Sequence, residues 1–384
     1  MALDQDTFLQ VKDAVARFVR EKLIPAEDIV EETNEVPESI VQEMRELGLF
    51  GLSIPEEYGG LGLNMSQECQ VIHELCNASI SFRSVIGTTV GIGSQGLIMT
   101  GTKEQKEEYL PRLASGEISS SFCLTEPGAG SDAASLKTTA IKDGDDYVLN
   151  GTKRFITNAL RAGMLTVMAR TDPSKKGASG ISAFLVDPKA QGVTIGKADD
   201  KMGQRGTKTS DVIFEDVRIP ASALMGGEEG QGFYTAMRVL DRGRLHLSSV
   251  STGISERILQ EALNYAAERK QFGKAIGEFQ LVQAMLADSQ ADLYAGKSMT
   301  MDAANKYDND EDIAMLAACC KMFTTEAAGR IADKAVQIHG GAGYMSEYKV
   351  ERFYRDVRLL RLYEGTTQIQ QLVIGRNMLK SVNA

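Results

Sequence analysis

The chain has 384 residues, enough for two or three compact units with a sizeable core. Hydrophobic residues make up 43% and charged residues 24%, the balance of a globular protein in water. A net charge of −10 argues against nucleic acid or an anionic membrane surface as the main partner.

In chain order, residues 1–118 read as helical. Phe8, Val11, Val15 and Phe18 recur at spacings of three and four, the mark of a one-sided helix. Val41, Met44, Leu47 and Leu49 repeat that rhythm before a loop over Gly51–Gly62. Charges alternate from Asp4 onward with no apolar leader core, so no targeting segment is read and a cytoplasmic location is expected. Ser84–Thr102 is uncharged and nearly bilayer length, but its five glycines and several threonines make it too polar to face lipid. It reads as a buried helical wall. Within it, Gly91-Ile92-Gly93-Ser94-Gln95-Gly96 formally fits G-x-G-x-x-G, yet no strand precedes it, so close helix packing is expected rather than a dinucleotide fold.

Residues 119–228 change texture. Asp146–Asn150, Leu165–Ala169 and Ser182–Val186 are short β-rich runs, punctuated by Asp143-Gly144-Asp145 and Asp172-Pro173-Ser174. They predict a small antiparallel β-domain, a barrel. Over residues 229–384 long helices return, broken near Gly273–Gly277 and Tyr307–Asp310, with Leu281, Met285, Ala287 and Leu293 on a bundle helix. Cys69, Cys76, Cys123, Cys319 and Cys320 form no C-x-x-C pair and suit a reducing compartment. His73, His246 and His339 are too dispersed for a metal set and read as structural, so no metal is expected.

The most telling stretch is Tyr363-Glu364-Gly365-Thr366-Thr367-Gln368. A carboxylate between an aromatic ring and a glycine serves as a general base when held in a water-poor pocket, because burial strengthens it as a proton acceptor. The alternative is an ordinary helix start with Glu364 on the first turn. Thr125-Glu126-Pro127-Gly128-Ala129-Gly130-Ser131 admits either a tight surface turn or a loop whose small residues let an aromatic ring system approach. Taken alone, Phe155 reads as a β-core residue and Arg269 as part of a solvated helix face.

Together with Pro55-Glu56-Glu57-Tyr58-Gly59-Gly60, Phe155-Ile156-Thr157-Asn158, Arg269-Lys270-Gln271-Phe272-Gly273, Gln337-Ile338-His339-Gly340-Gly341 and Gly375-Arg376, these blocks resemble the acyl-CoA dehydrogenase family, in order and spacing, over nearly the whole chain. The resemblance implies a mainly α fold: an N-terminal helical domain, a middle β-barrel and a C-terminal four-helix bundle. It implies FAD held by Phe122, Cys123, Leu124, Thr125, Glu126, Pro127, Gly128, Ala129, Gly130 and Ser131, by Phe155, Ile156 and Thr157, and by Thr366, Thr367 and Gln368. Arg269, Phe272, Gln280, Gln337, Ile338, His339, Gly340 and Gly341 resemble positions that grip the FAD of a neighbouring subunit, which implies a homo-oligomer, a tetramer built as a dimer of dimers. Phe155 stands where many members have tryptophan, and this chain has none.

The resemblance also implies Glu364 as the base that removes the α-proton of an acyl-CoA. Its backbone N–H and a ribityl hydroxyl of FAD would polarise the thioester carbonyl, and an electron-transfer flavoprotein would take the electrons. Asp241, Arg242, Gly243 and Arg244 resemble the segment meeting coenzyme A, with Arg238 nearby; Ser131 and Gly365 also face substrate. Gly243 stands where some branches place their catalytic glutamate. Arg83-Ser84 resembles a pair in glutaryl-CoA dehydrogenases that meets a distal carboxylate, although Cys76 replaces an acid found near it there. Arg83 is thus either an exposed helix-end arginine or a residue reaching into the acyl pocket, which implies a short, medium or dicarboxylyl chain. Two other readings are an oxygen-using acyl-CoA oxidase and a flavin-binding assembly protein without turnover.

Overall fold

A computed structural model describes residues 3–382. The chain opens on α1 (Gln5–Phe18), whose start is fixed by the Asp4 carboxylate accepting from the Thr7 N–H at 3.0 Å. Phe8, Val15 and Phe18 form its buried stripe. A π-helical stretch at Val19–Leu23 leads into α2 (Ile24–Thr33), followed by α3 (Glu38–Glu46) and α4 (Met65–Leu75). Asn64 and Gln67 form a reciprocal capping box at the start of α4. The uncharged segment forms α5 (Ile80–Gly87), a π-helical stretch at Thr88–Gly93, and α6 (Ser94–Thr100); α7 (Lys103–Ala114) closes the unit.

The middle unit comprises β1 (Ser120–Cys123), β2 (Thr139–Asp143), β3 (Asp146–Thr157), β4 (Met164–Arg170), β5 (Ile181–Val186), β6 (Val193–Ile195) and β7 (Thr209–Pro220). The three β-rich runs seen in the sequence lie in β3, β4 and β5. The order is β1-β4-β2-β3-β7-β6, with β5 on the other side of β4. The sheet is a half-barrel, and it is not wholly antiparallel as expected: β1 and the start of β2 run parallel to β4. Side-chain alternation explains how β4 is buried on both faces. Leu165, Val167 and Ala169 enter the core inside the sheet, while Met164 and Met168 join Leu97 of α6 in a second core.

The C-terminal unit holds α8 (Gly232–Glu268), a two-stranded ribbon of β8 (Lys270–Gln271) and β9 (Lys274–Ala275), then α9 (Gln280–Asp308), α10 (Ala314–His339), α11 (Lys349–Val357) and α12 (Thr367–Val382). In the bundle α10 packs on α8, α9 and α12. Asp308, at the end of α9, accepts from the Met65 and Ser66 N–H groups at 2.7 and 2.9 Å, satisfying free donors at the start of α4.

The glycine-rich segment is helical, as its context in the sequence predicts, and it docks the first unit on the second. A Cβ at Gly93 would fall 1.8 Å from Ser120 Oγ and 2.6 Å from the Thr88 carbonyl, so only glycine lets this turn reach β1. The Asn158 side chain donates to the Ser84 carbonyl at 2.8 Å and to Thr88 Oγ1 at 2.9 Å, holding the β unit to α5 and the π turn after it. Gly93→Ala is therefore expected to lower the thermal unfolding midpoint, at a cost of about 1–3 kcal/mol from overpacking. Gly91→Ala, whose new Cβ would meet nothing closer than 3.8 Å, leaves the midpoint unchanged or raises it in the same assay.

Candidate functional site

All three units wall one cavity of about 350 Å³. Arg83, Ser84, Gly87, Thr88 and Ile92 come from the N-terminal unit, Phe122, Thr125, Ser131, Phe155 and Thr157 from the sheet, and Arg244, Tyr363, Glu364 and Gly365 from the C-terminal unit. A second cavity of about 650 Å³ shares Thr125, Gly130, Ser131, Phe155, Thr157 and the Tyr363–Gly365 stretch, and adds Arg154, Arg355, Arg358 and Thr366.

Glu364 precedes α12 rather than starting it, in the left-handed region at φ 55°, with Gly365 at φ 92°. A glutamate in that region is uncommon and persists only where surrounding contacts hold it. Lys321 Nζ donates to the Gly365 carbonyl at 2.7 Å, and Gln370 Nε2 donates to the Glu364 and Gly365 carbonyls at 3.2 and 3.0 Å. Among the described residues the Glu364 backbone N–H donates to no other group, and Glu364 Oε2 is shut off from solvent with no hydrogen-bond partner. Gly243 makes room for it: a Cβ there would lie 2.9 Å from Oε2. Burial raises the carboxyl above its ordinary range, against opposing positive charge from Arg83, Lys321 and Arg244. Lys321 is itself pushed down to about 8 by burial, with Glu364 acting to raise it. Nothing near position 321 in the sequence pointed to the site; the only sign was a lone lysine after Cys319-Cys320.

The Thr125–Ser131 loop is a tight turn closed by reciprocal backbone bonds between Glu126 and Ala129 at 3.0 and 3.1 Å. The Glu126 carboxylate points inward, accepting from the Lys137 and Thr138 N–H groups at 2.6 and 2.9 Å and from the buried Lys153 ammonium at 2.8 Å. That charge anchor went unread in the sequence. Of the ten residues from Phe122 to Ser131, the cavity walls take Phe122, Leu124, Thr125, Gly130 and Ser131. Cys123, Glu126 and Ala129 are buried in the protein, and Pro127 and Gly128 sit at the turn. Phe155 is not a core residue. A register shift between Lys153 and Ile156 throws it out at φ 59°, 60% exposed, with the Arg154 guanidinium 4.6 Å from its ring centre. Ile156 and Thr157 line the first cavity.

These residues suit a flat aromatic cofactor carrying phosphates. Added Cβ atoms at Gly128 and Gly130 would meet nothing within 4 Å, so a ring system can approach this backbone. Thr125, Ser131 and Thr157 supply hydroxyls, and Arg358 lines the larger cavity with its Nη1 buried and unpartnered.

Apart from Thr366, the other residues expected to hold FAD lie away from both cavities. Arg269, Phe272 (93% exposed), Gln280, Gln337, Gly340 and Gly341 are at the surface. Ile338 and His339 are buried, His339 stacking on Tyr265 at 4.1 Å. Thr366 reaches the larger cavity, Thr367 donates to Glu326 at 2.6 Å, and Gln368 is exposed.

On α8, Arg244 lines the smaller cavity, paired with Asp241 and with its Nε buried and unpartnered. Arg242 departs from the expectation of a coenzyme A contact. It is fully turned into the protein, in a forked pair with Glu68, and lines neither cavity. Arg83 is not an exposed helix-end arginine. It is 6% exposed and lines the smaller cavity, its Nε donating to His246 Nε2 at 2.9 Å. Cys76 is fully buried, and all five cysteines are free thiols. Among the described residues no cluster of three His, Cys, Asp or Glu could hold a metal, and no helix is long and apolar enough to cross a membrane.

An unpartnered carboxylate lining two adjoining cavities, beside a glycine turn that a flat ring can approach, on helix–sheet–helix units, is the site of a flavin-dependent enzyme of acyl thioesters. The chain belongs to the acyl-CoA dehydrogenase family, matching its N-terminal domain over residues 5–117, its middle domain over 121–217 and its C-terminal domain over 230–379, and its cofactor is FAD. It is 42% identical to a 3-(aryl)acrylate reductase of Clostridium sporogenes, over 94% of this chain and 96% of that one. It is 44% identical to subunit CarC of the caffeyl-CoA reductase–Etf complex of Acetobacterium woodii, over 95% and 97%. The solved structure of butyryl-CoA dehydrogenase from Megasphaera elsdenii superimposes with a TM-score of 0.93 at 35% identity, over 99% of this chain and 100% of that one.

Lys321 provides a test of the site's electrostatics. Its positive charge favours ionised Glu364, so removing it makes the carboxylate hold its proton to higher pH. In Lys321→Met the acid limb of the kcat/KM profile is expected to move to higher pH than in wild type. An acid limb that stays in place would show that Lys321 does not act on Glu364.

Proposed function

We propose that this chain catalyses the FAD-dependent α,β-dehydrogenation of an acyl-CoA thioester to the trans-2-enoyl-CoA. The single observation that carries the reading is Glu364: a buried carboxylate oxygen with no partner, facing a cavity, on a loop fixed by Lys321 and Gln370. When bound, FAD supplies a hydride acceptor for the β-hydrogen. Glu364 takes the α-proton onto its free oxygen, and the electrons of that C–H bond become the new double bond as the β-hydrogen departs. The uncommitted Glu364 N–H is positioned to donate to the thioester oxygen as negative charge develops there. The lining from Ile92, Phe122 and Tyr363 keeps water from the base and holds the acyl chain. Arg244 would take an acceptor of the coenzyme A chain, with Ser131 and Gly365 beside it, and Arg242 acts through structure alone.

The same geometry runs in reverse, from enoyl to acyl, and the poise of the electron carrier sets the direction; two relatives are named reductases. An electron-transfer flavoprotein is the carrier we assign, supported by a relative whose name includes Etf. The surface positions of Arg269, Phe272 and Gln337–Gly341 support a cofactor site completed by a second copy of the chain in a homotetramer, and we place the protein in the cytoplasm. Arg83 supports a short or medium acyl chain with a carboxylate or polar end. Its guanidinium lines the cavity and, among the described residues, makes no ion pair; the Glu364 carboxylate acts on it only from a distance, so an anion in the cavity would find it available.

Glu364→Gln is expected to retain FAD and to slow anaerobic flavin bleaching by acyl-CoA about 10²–10⁴-fold; bleaching at the wild-type rate would end this reading. Arg83→Ala is expected to lose any preference for glutaryl-CoA over pentanoyl-CoA. Rates equal to wild type on both would remove the carboxylate end. Oxygen uptake without added acceptor is expected to be slow, whereas rapid uptake would favour an oxidase.

A further inference from the structure

Behind Arg83 lies a buried relay. Arg83 Nε donates to His246 Nε2 at 2.9 Å, and the opposite nitrogen, Nδ1, lies 2.6 Å from Glu68 Oε1. An arginine nitrogen only donates, so His246 Nε2 accepts, and a neutral ring then carries its proton on Nδ1 and donates to Glu68. Glu68 in turn is gripped by Arg242 through both oxygens. Glu68 and His246 are wholly buried, and Arg242 and Arg83 nearly so. Burial, with Arg83 adjacent, pushes His246 down to about 4, in keeping with the neutral ring that the hydrogen bonds require.

Two features show that the seat is built for the guanidinium. A Cβ at Gly87, one turn along α5, would lie 2.8 Å from Arg83 Cζ, so the glycine leaves that space to the arginine. The charges of the relay do not balance either. Glu68 is matched by Arg242, His246 is neutral, and Arg83 brings one positive charge that this network leaves uncompensated. Among the described residues only its Nε is committed, which leaves the Nη fork for a group in the cavity.

We infer that His246, oriented by Glu68, is a positioning residue that clamps Arg83 by its Nε and so presents the guanidinium fork to the distal carboxylate of the substrate. This inference rests on the reading of Arg83 given above, and it assigns the selection of that substrate class to two residues remote from the reacting carbons. Without the clamp, a long flexible side chain at the cavity wall would have to be ordered by each substrate, and discrimination would fall.

The test is the ratio of kcat/KM for glutaryl-CoA to that for pentanoyl-CoA, which share a five-carbon acyl chain, measured by anaerobic flavin bleaching on holoenzyme. His246→Asn keeps a donor for Glu68 but is too short to reach Arg83, whereas His246→Gln can offer an acceptor to Arg83. The expected result is a wild-type ratio well above one, a fall of at least tenfold in His246→Asn, and recovery of most of it in His246→Gln. A role in folding alone would lower both rates together and leave the ratio in place. Should His246→Asn fail to hold flavin, Gly87→Ala displaces the guanidinium from its other side and must lower the same ratio. A wild-type preference that survives in His246→Asn, or in Gly87→Ala, overturns the clamp and leaves the carboxylate reading standing. A wild-type ratio near one overturns both.

Discussion

The site depends on a carboxylate that has been taken out of water and given nothing to bond. Burying an ionisable oxygen without a partner is costly, and here the cost is offset by charge at a distance: Arg83, Lys321 and Arg244 act on Glu364 from three elements. None of the three closes on it as an ion pair among the described residues. Lys321 and Arg244 are drawn instead to Gly365 and Asp241, and Arg83 to His246. A direct salt bridge would stabilise the resting carboxylate and make it a poorer proton acceptor. Charge is thus near enough to keep the acid ionisable, and tied elsewhere so that the oxygen stays free.

The backbone follows from the same requirement. Glu364 and Gly365 both occupy left-handed conformations, and the two carbonyls so exposed are taken up by Lys321 and Gln370. Gly243 supplies the space on the facing helix. Loop, lysine and glycine are one device, since a side chain at 243 would need the volume that the carboxylate fills.

Much of this was legible in the sequence because it is local. A helix writes its buried face at three- and four-residue spacing, as Phe8, Val15 and Phe18 do, and turns are marked by the glycines and prolines they need. Glu364 stood out because its neighbours are chemically unusual. What stayed hidden is contact between distant residues. His246 meets Arg83 from 163 positions away and Glu68 from 178, with no pattern in the chain to announce either. The parallel pairing of β1 with β4 is likewise invisible to alternation, which reports faces and not partners. Arg242 and Arg244 were read together because they are close in sequence. Two residues turn a helix through about 200°, so one faces Glu68 and the other the cavity. Phe155 was misread in isolation because the bulge that expels it depends on register with β7.

The distance along the chain between Arg83 and Glu364 has a consequence for biosynthesis. The core of the N-terminal helices also draws on α8, α10 and α11, through Leu247, Val250, Ala328 and Phe353, so those helices complete their packing only when the C-terminal unit has been made. The acid and the loop that holds it are made after α8, α10 and α11, and α12, which supplies Gln370, follows them. The pocket's walls and its proton acceptor are therefore completed together, once the C-terminal helices have docked on the first unit.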